Sequence, residues 1–245
     1  EQVKDGLCDR CKEPVTKKEL TQWFFKITEY AEELLEKLDG LDWPEKTKHM
    51  QRNWIGKSVG SNIIFNIKGF EDKIEVFTTR SDTIYGATYL VLAPEHPLLN
   101  SIVLPENIEA VKSYIESAKV KTEIERMSVD RNKTGVFTGS YAVNPINKAE
   151  IPIWVADYVV SSYGTGAIMA VPSGDERDFE FAKTFNLPRI EVVSNDGKEH
   201  GNDECFSNYG ISVNSDEYSG KSTEAVQKLI NIKLEDLGCG GAKIQ

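Results

Sequence analysis

The stretch Lys73-Ile74-Glu75-Val76-Phe77-Thr78-Thr79 runs without a break into Arg80-Ser81-Asp82-Thr83. Its first part is strand-like, with Ile74, Val76 and Phe77 as the apolar members. Its second part packs hydroxyls, a guanidinium and a carboxylate into the six residues from Thr78 to Thr83. Outward from it, Asn62 to Ile67 and Ala87 to Ala93 have the same β-rich texture. So do Gly135 to Val143, Ile151 to Ala156, Tyr158 to Ser161 and Ala167 to Val171, all short and often alternating. Three helices are expected among them. Pro105 and Glu106 open one that ends near Met127, with Val111, Ile115 and Ala118 on its buried side. Asp175 to Phe185 reads as the second, with Phe179, Ala182 and Phe185 inward, and Thr223 to Leu237 as the third, stopped by Gly238. Many short strands with few helices between them predict an α/β fold: a closed or nearly closed β-barrel core carrying peripheral helices. There is no internal repeat and no low-complexity tract.

Before this region the texture differs. Thr16-x-x-Glu19 is a capping box, since hydroxyl and carboxylate can each satisfy a free N–H of a first helical turn. Behind it Leu20, Trp23, Phe24, Ile27, Ala31, Leu34, Leu35 and Leu38 form one apolar stripe at helical spacing, ended by Gly40 and Pro44. A stripe carrying Trp and Phe needs a partner, so this arm is expected to pack on the domain or on an absent body. The opening on Glu1-Gln2-Val3 reads as the interior of a longer polypeptide. Cys8 and Cys11 form a Cys-x-x-Cys knuckle, with Cys205 and Cys239 isolated downstream. A closed zinc site takes four ligands, so the pair is either a reduced remnant or half of a site completed elsewhere.

The bulk properties exclude some functions. A chain of 245 residues with 40% hydrophobic and 28% charged residues can bury a real core. A net charge of −10 argues against a surface built to grip nucleic acid along its length, while leaving room for one nucleic-acid end in a local pocket. No apolar run reaches membrane-spanning length, and a soluble cytoplasmic protein is expected.

Several features bear on chemistry. Arg80 and Asp82 sit where one can hold a phosphate bidentately and the other can order the loop; a plain strand-and-turn role for the threonines remains open. Asp175 and Asp178 fall on one face of a helical first turn. Either they cap that helix, or one of them binds an ammonium group in a half-buried site. Gly164-Thr165-Gly166 permits close backbone approach but lacks the context of a dinucleotide fingerprint. His49, His96 and His200 show no metal-ligand spacing, and neither a serine elbow nor a cysteine with a recognisable partner occurs. A hydrolytic reading therefore favours a positioned water over covalent attack.

The stretch from Thr78 to Thr83, the stretch Tyr163-Gly164-Thr165-Gly166-Ala167-Ile168-Met169-Ala170-Val171-Pro172, and Asp175-Glu176-Arg177-Asp178-Phe179 resemble the editing domain of bacterial-type leucyl-tRNA synthetases. The flanks Cys8-Asp9-Arg10-Cys11, Trp43-Pro44 and Met50 to Gly56 resemble the segments that join this insertion to a synthetic core. The resemblance implies a linker arm over 1–56, an editing domain over 57–237 and a return linker over 238–245. It also implies hydrolysis of wrongly formed aminoacyl esters, such as norvaline or isoleucine on the 3′ end of leucine tRNA, with leucine excluded. The physical need is plain. A hydrophobic synthetic pocket rejects a near-isostere by only about 1 to 3 kcal/mol, so a second site must discard the errors.

By that resemblance Asp178 holds the substrate's α-ammonium and Thr83 blocks leucine. Thr78 and Thr79 border the terminal adenosine and order the attacking water; Arg80, Asp82 and Asp175 contribute to substrate binding. Tyr163, Met169 and Val171 shape the amino-acid wall. No metal or cofactor is expected for editing, ATP and magnesium belonging to the full-length synthetase alone. Neither activation signature of that class is present, so adenylate formation is not expected of this chain. The implied partners are the terminal adenosine with its amino acid and the rest of the synthetase, the chain being a monomer. Two departures stand out: Ser81 where the family usually has Pro, and Gly174 where it usually has His. A non-catalytic module that binds the tRNA end or an amino acid is the competing reading.

Overall fold

The computed structural model describes residues 2–4, 6–15, 20–119, 121, 125–126, 133–161 and 164–245. The chain divides into two compact units, Glu1–Lys57 and Ser58–Gln245.

In the first unit a hairpin pairs β1 (Val3–Lys4) with β2 (Leu7–Cys8), and Cys11 is exposed beside it. Two helices follow, α1 (Ala31–Leu38) and α2 (Glu45–Ile55). Gly56 ends α2 in the left-handed region, φ 67°, with its N–H bonded to the Arg52 carbonyl. The capping box lies outside the described residues. The long helix expected behind it is shorter than its apolar stripe: residues 20–26 are not helical, and a 3-10 turn over Ile27–Tyr30 precedes α1. The reason is packing. Trp23, Phe24 and Phe25 are exposed, and helices of this length draw their stability from a buried face.

The second unit is a seven-stranded mixed sheet with helices on it. Its strands are β3 (Val59–Ile67), β4 (Lys73–Thr78), β5 (Tyr89–Leu92), β6 (Gly135–Val143), β7 (Glu150–Ala156), β8 (Ala167–Ala170) and β11 (Gly240–Ile244). The order is β11-β3-β6-β7-β5-β8, with β4 on the other side of β3. A small separate hairpin joins β9 (Val193–Ser194) to β10 (Ile211–Ser212). The mixed α/β sheet with peripheral helices matches the expectation; its closure into a barrel does not. No ladder joins β4 to β8 among the described residues. The period-two pattern that identifies a strand carries no information about whether the two end strands meet.

The helices of this unit are α3 (Leu99–Ile102), α4 (Ile108–Lys119), α5 (Glu176–Thr184) and α6 (Thr223–Asp236). The helix expected to reach Met127 ends at Lys119, and Met127 lies outside the described residues. Strand β5 shows how the sheet separates two cores. Leu90 and Leu92 join Ile63, Phe65, Ile153 and the α6 residues Ile230 and Leu234, whereas Tyr89 and Val91 join Phe181 and Ala182 of α5. Being covered on both faces, all four β5 residues are buried.

Two expected boundaries change. Tyr158 to Ser161 is a turn rather than a strand. The carbonyls of Asp157 and Val159, which a ladder would use, accept from the Arg126 guanidinium instead. Residues 238–245 were expected to be a linker, yet Gly240–Ile244 pairs with Val59–Ile63. That Gly-Gly-Ala start has no strand signature, because its requirement is close approach: a Cβ at Gly240 would collide with the Asn62 carbonyl oxygen.

Candidate functional site

Strand β4 ends at Thr78, and the chain turns into a 3-10 helix over Ser81–Gly86. The turn is fixed by its own side chains. Thr78 Oγ1 accepts from the Arg80 N–H at 3.0 Å, and Thr83 Oγ1 donates to the Arg80 carbonyl at 2.8 Å. With its hydroxyl so occupied, Thr83 presents a methyl, and the whole residue is buried. The 3-10 helix then comes hard against Val171. A Cβ at Gly86 would stand 3.1 Å from Val171 Cγ1 and 2.7 Å from Val192 Cγ2, so no side chain fits there.

Val171 follows β8 and is the hinge of the site. Its carbonyl accepts from the N–H groups of Gly174 and Asp175, closing a tight turn into α5. Its own N–H donates to Asp178 Oδ2 at 2.9 Å, while the Tyr158 hydroxyl donates to Asp178 Oδ1 at 3.0 Å. Across the same turn, the position of a Cβ on Gly174 lies 3.7 Å from Val171 Cγ1 and 4.0 Å from the Thr83 methyl. Thr83 and Asp178 thus both border one turn, Val171–Asp175: the Thr83 methyl approaches Gly174, and Asp178 holds the Val171 N–H. Met169, two residues back on β8, is buried in the same core as Val171.

The two aspartates of the helix start differ. Asp175 caps α5: its Oδ1 accepts from the N–H groups of Arg177 and Asp178, and the Arg177 guanidinium reaches both of its oxygens. Burial pushes its pKa up, but the Arg177 bonds and charge and the two N–H groups outweigh that and hold it below the usual carboxylate value. Asp178 is 4% exposed and has no cation bonded to it among the described residues, and its pKa is pushed up to about 7. Burial is the main cause, the Asp175 charge adds to it, and the bonds from Val171 and Tyr158 only partly offset them. A carboxylate so placed gains from a cation that enters beside it.

Arg80 and Asp82 both order the loop. Arg80 Nη2 lies 3.0 Å from Asp82 Oδ2, its Nη1 donates to the Ser207 carbonyl at 2.9 Å, and its guanidinium stacks 5.0 Å from the Tyr209 ring centre. Asp82 is fully buried and also accepts from Gln227, whose amide reaches the Thr79 carbonyl as well. Thr79 itself is exposed. Gly164 and Gly166 take positive φ at the far end of β8 from Val171, so they serve a turn there and stand apart from the Thr83 and Asp178 pair. Tyr163 lies outside the described residues. No group of three His, Cys, Asp or Glu side chains suited to a metal occurs among the described residues. The sequence reading missed Tyr158, Tyr89, whose hydroxyl donates to the Asp178 carbonyl at 2.9 Å, and Gln227. A lone chain carries no signal that pairs a tyrosine with a carboxylate twenty residues away.

The leucyl-tRNA synthetase editing domain family matches residues 52–235. The chain belongs to that family. Leucine–tRNA ligase of Clostridium perfringens strain 13 is 55% identical over 245 residues, covering 100% of this chain and 30% of that protein. Its counterpart in Clostridium beijerinckii is 55% identical over 243 residues, or 99% of this chain and 30% of that protein. The LeuRS of Agrobacterium radiobacter K84, solved as a ternary complex with tRNA and LeuAMS, is similar with a TM-score of 0.73 and 35% identity over 100% of this chain and 27% of that one. The chain spans about 30% of the length of the curated relatives it matches. No helix among the described residues is long and apolar enough to cross a membrane.

Proposed function

We propose that this leucyl-tRNA synthetase editing domain hydrolyses the ester of tRNA(Leu) mischarged with norvaline, isoleucine or a similar amino acid, and spares leucyl-tRNA. The observation that carries the reading is the meeting of Asp178 and Thr83 on one turn. A buried carboxylate with no cation bonded to it among the described residues suits an α-ammonium, and a fixed methyl on the same turn limits side-chain size. In this reading Asp178 anchors the ammonium, and Thr83 with Met169, Val171 and Tyr163 bounds the amino-acid side chain. Thr78 and Thr79 border the terminal adenosine and place the attacking water; Asp175, Arg80 and Asp82 hold the walls in register. The catalytic contribution is position and electrostatics, and no step calls on a metal or cofactor. Its partners are the tRNA 3′ end and the remainder of the synthetase, whose ATP-dependent charging lies outside this chain. The protein acts as a monomer in the cytoplasm.

The competing binding-module reading draws on one observation: Arg80, the cation of the threonine loop, is already bonded to Asp82 and Ser207. Incubating the chain with isoleucyl-tRNA(Leu) and with leucyl-tRNA(Leu) decides between them. Release of isoleucine with leucyl-tRNA intact is expected. Tight binding of a 3′-aminoacyl-adenosine analogue with no release would leave only the module. In the same assay Thr83→Ala removes the methyl and is expected to admit leucine, raising leucyl-tRNA hydrolysis at least tenfold. Intact leucyl-tRNA with that variant would overturn the steric role given to Thr83.

A further inference from the structure

A second layer stands behind Asp178. Tyr158 is buried and its hydroxyl donates to Asp178 Oδ1 at 3.0 Å, while Val171 N–H holds Oδ2 at 2.9 Å. An ionised carboxylate offers about four acceptor sites, so two donors fix its plane and leave the others for a ligand. Tyr158 does not reach this place by regular structure, for it lies in a turn just past β7. What seats it is Arg126, itself buried. Its Nε donates to the Asp157 carbonyl and its Nη2 to the Val159 carbonyl, each at 2.7 Å, so one guanidinium holds the backbone on both sides of Tyr158. The third arm of Arg126 is paired with Glu95 at 2.6 Å, which pins the guanidinium to the segment following β5. The tyrosine ring is further confined by Phe181, 5.6 Å away centre to centre, and by the Lys133 ammonium 5.9 Å from its centre.

We propose that Tyr158, clamped on both flanks by Arg126, is a positioning residue that aims the Asp178 carboxylate at the α-ammonium of the ester substrate. The proposal rests on the editing reading given above. The hydroxyl does two things at once. It orients Oδ1, and it stabilises the ionised form of Asp178 against the burial and the Asp175 charge that favour the protonated form. Other ionisable groups face this pair: Tyr89 from β5, Asp175 and Arg177 from the start of α5, Lys133 beside β6 and Cys205 from the loop before β10. None of them donates to Asp178 Oδ1 among the described residues, so the hydroxyl of Tyr158 is not duplicated.

The test is Tyr158→Phe, which deletes one oxygen and keeps the ring packing. Two readouts are taken in the intact chain: the NMR titration of the Asp178 carboxyl, and the pH profile of kcat/KM for isoleucyl-tRNA(Leu) deacylation. The expected result is an Asp178 midpoint moved to higher pH, a roughly tenfold loss of kcat/KM near neutrality, and recovery toward the parent rate as pH rises, with KM carrying more of the loss than kcat. Arg126→Lys keeps the charge opposite Glu95 but loosens the fork, and should move both readouts the same way by less. A merely structural tyrosine would lower stability without moving the titration, and that outcome overturns the proposal. Asp178→Asn separates the failures. If Asp178→Asn is inactive while Tyr158→Phe keeps the parent profile, the positioning role alone is wrong; if Asp178→Asn still deacylates, the anchoring role of Asp178 falls and this proposal with it; and if the parent chain itself releases no isoleucine, the editing reading falls.

Discussion

At the scale of single residues, Asp178 combines two demands that pull against each other. Function in the proposed reaction needs it ionised; its burial raises the pKa to about 7, against an ordinary 3.8. The sign for stability follows by linkage. Near pH 5 the folded chain holds a proton that the unfolded chain has released, so the contribution of Asp178 is fully present only below about pH 4 and is lost as pH rises through about 7. Asp178→Asn keeps an acceptor for Val171 N–H and a group able to bond the Tyr158 oxygen, but cannot titrate. Urea unfolding at pH 5 and pH 8 should show the parent losing stability over this window relative to Asp178→Asn; equal pH dependence of the two would show that Asp178 titrates normally. Asp178→Ala is a different perturbation. It strands two buried donors, each worth about 1 to 3 kcal/mol when unsatisfied, so a loss of about 2 to 6 kcal/mol is expected along with loss of deacylation. The spacing of Asp175 and Asp178 was visible in the sequence, and so were both of their possible roles. Which aspartate caps and which stays without a cation was not visible, because burial decides it.

At the scale of elements, strands and helices whose apolar spacing matched their period were legible: β6 spans Gly135–Val143 as read, and α5 and α6 start within a residue of their expected positions. Misreadings fall where a distant group substitutes for the local pattern. Arg126 takes the carbonyls that would have made 158–161 a strand, and the aromatic stripe of residues 20–26 lacks the packed face that would hold it helical. The turn Val171–Asp175 supplies a prediction of its own. Gly174 does not use positive φ, and a Cβ there meets nothing nearer than 3.7 Å. Gly174→Ala should therefore fit without strain and, by restricting the unfolded chain, raise stability by about 0.4 to 1 kcal/mol in urea unfolding. A loss of more than about 1 kcal/mol would show that the turn has no room, and would weaken the placement of Thr83 against it.

At the scale of the whole molecule, the sheet of the second unit depends on its last residues. Strand β3 shares one edge between two partners, β11 over Val59–Ile63 and β6 over Asn66–Ile67, while β4 takes the other edge. Strand β11 therefore covers an edge that nothing else in the order of the sheet reaches, and the Ile64 N–H bonded to the Cys239 carbonyl at 2.8 Å extends that cover by one bond. Ending the chain after Gly238 would expose this run of donors and acceptors and free the C-terminal end of α6, whose Ile230 and Leu234 are fully buried. With each backbone bond contributing about 0.5 to 1.5 kcal/mol, the expected loss is on the order of 3 kcal/mol, seen as a lower Tm, together with concentration-dependent association through the bared edge. Because Thr78 and the loop to Thr83 follow directly from β4, which is carried by β3, the truncated chain should also lose deacylation before it loses its helices. A truncated chain that melts and deacylates as the parent does would mean that β11 is an appendage, and that β3 is held by β4 and β6 alone.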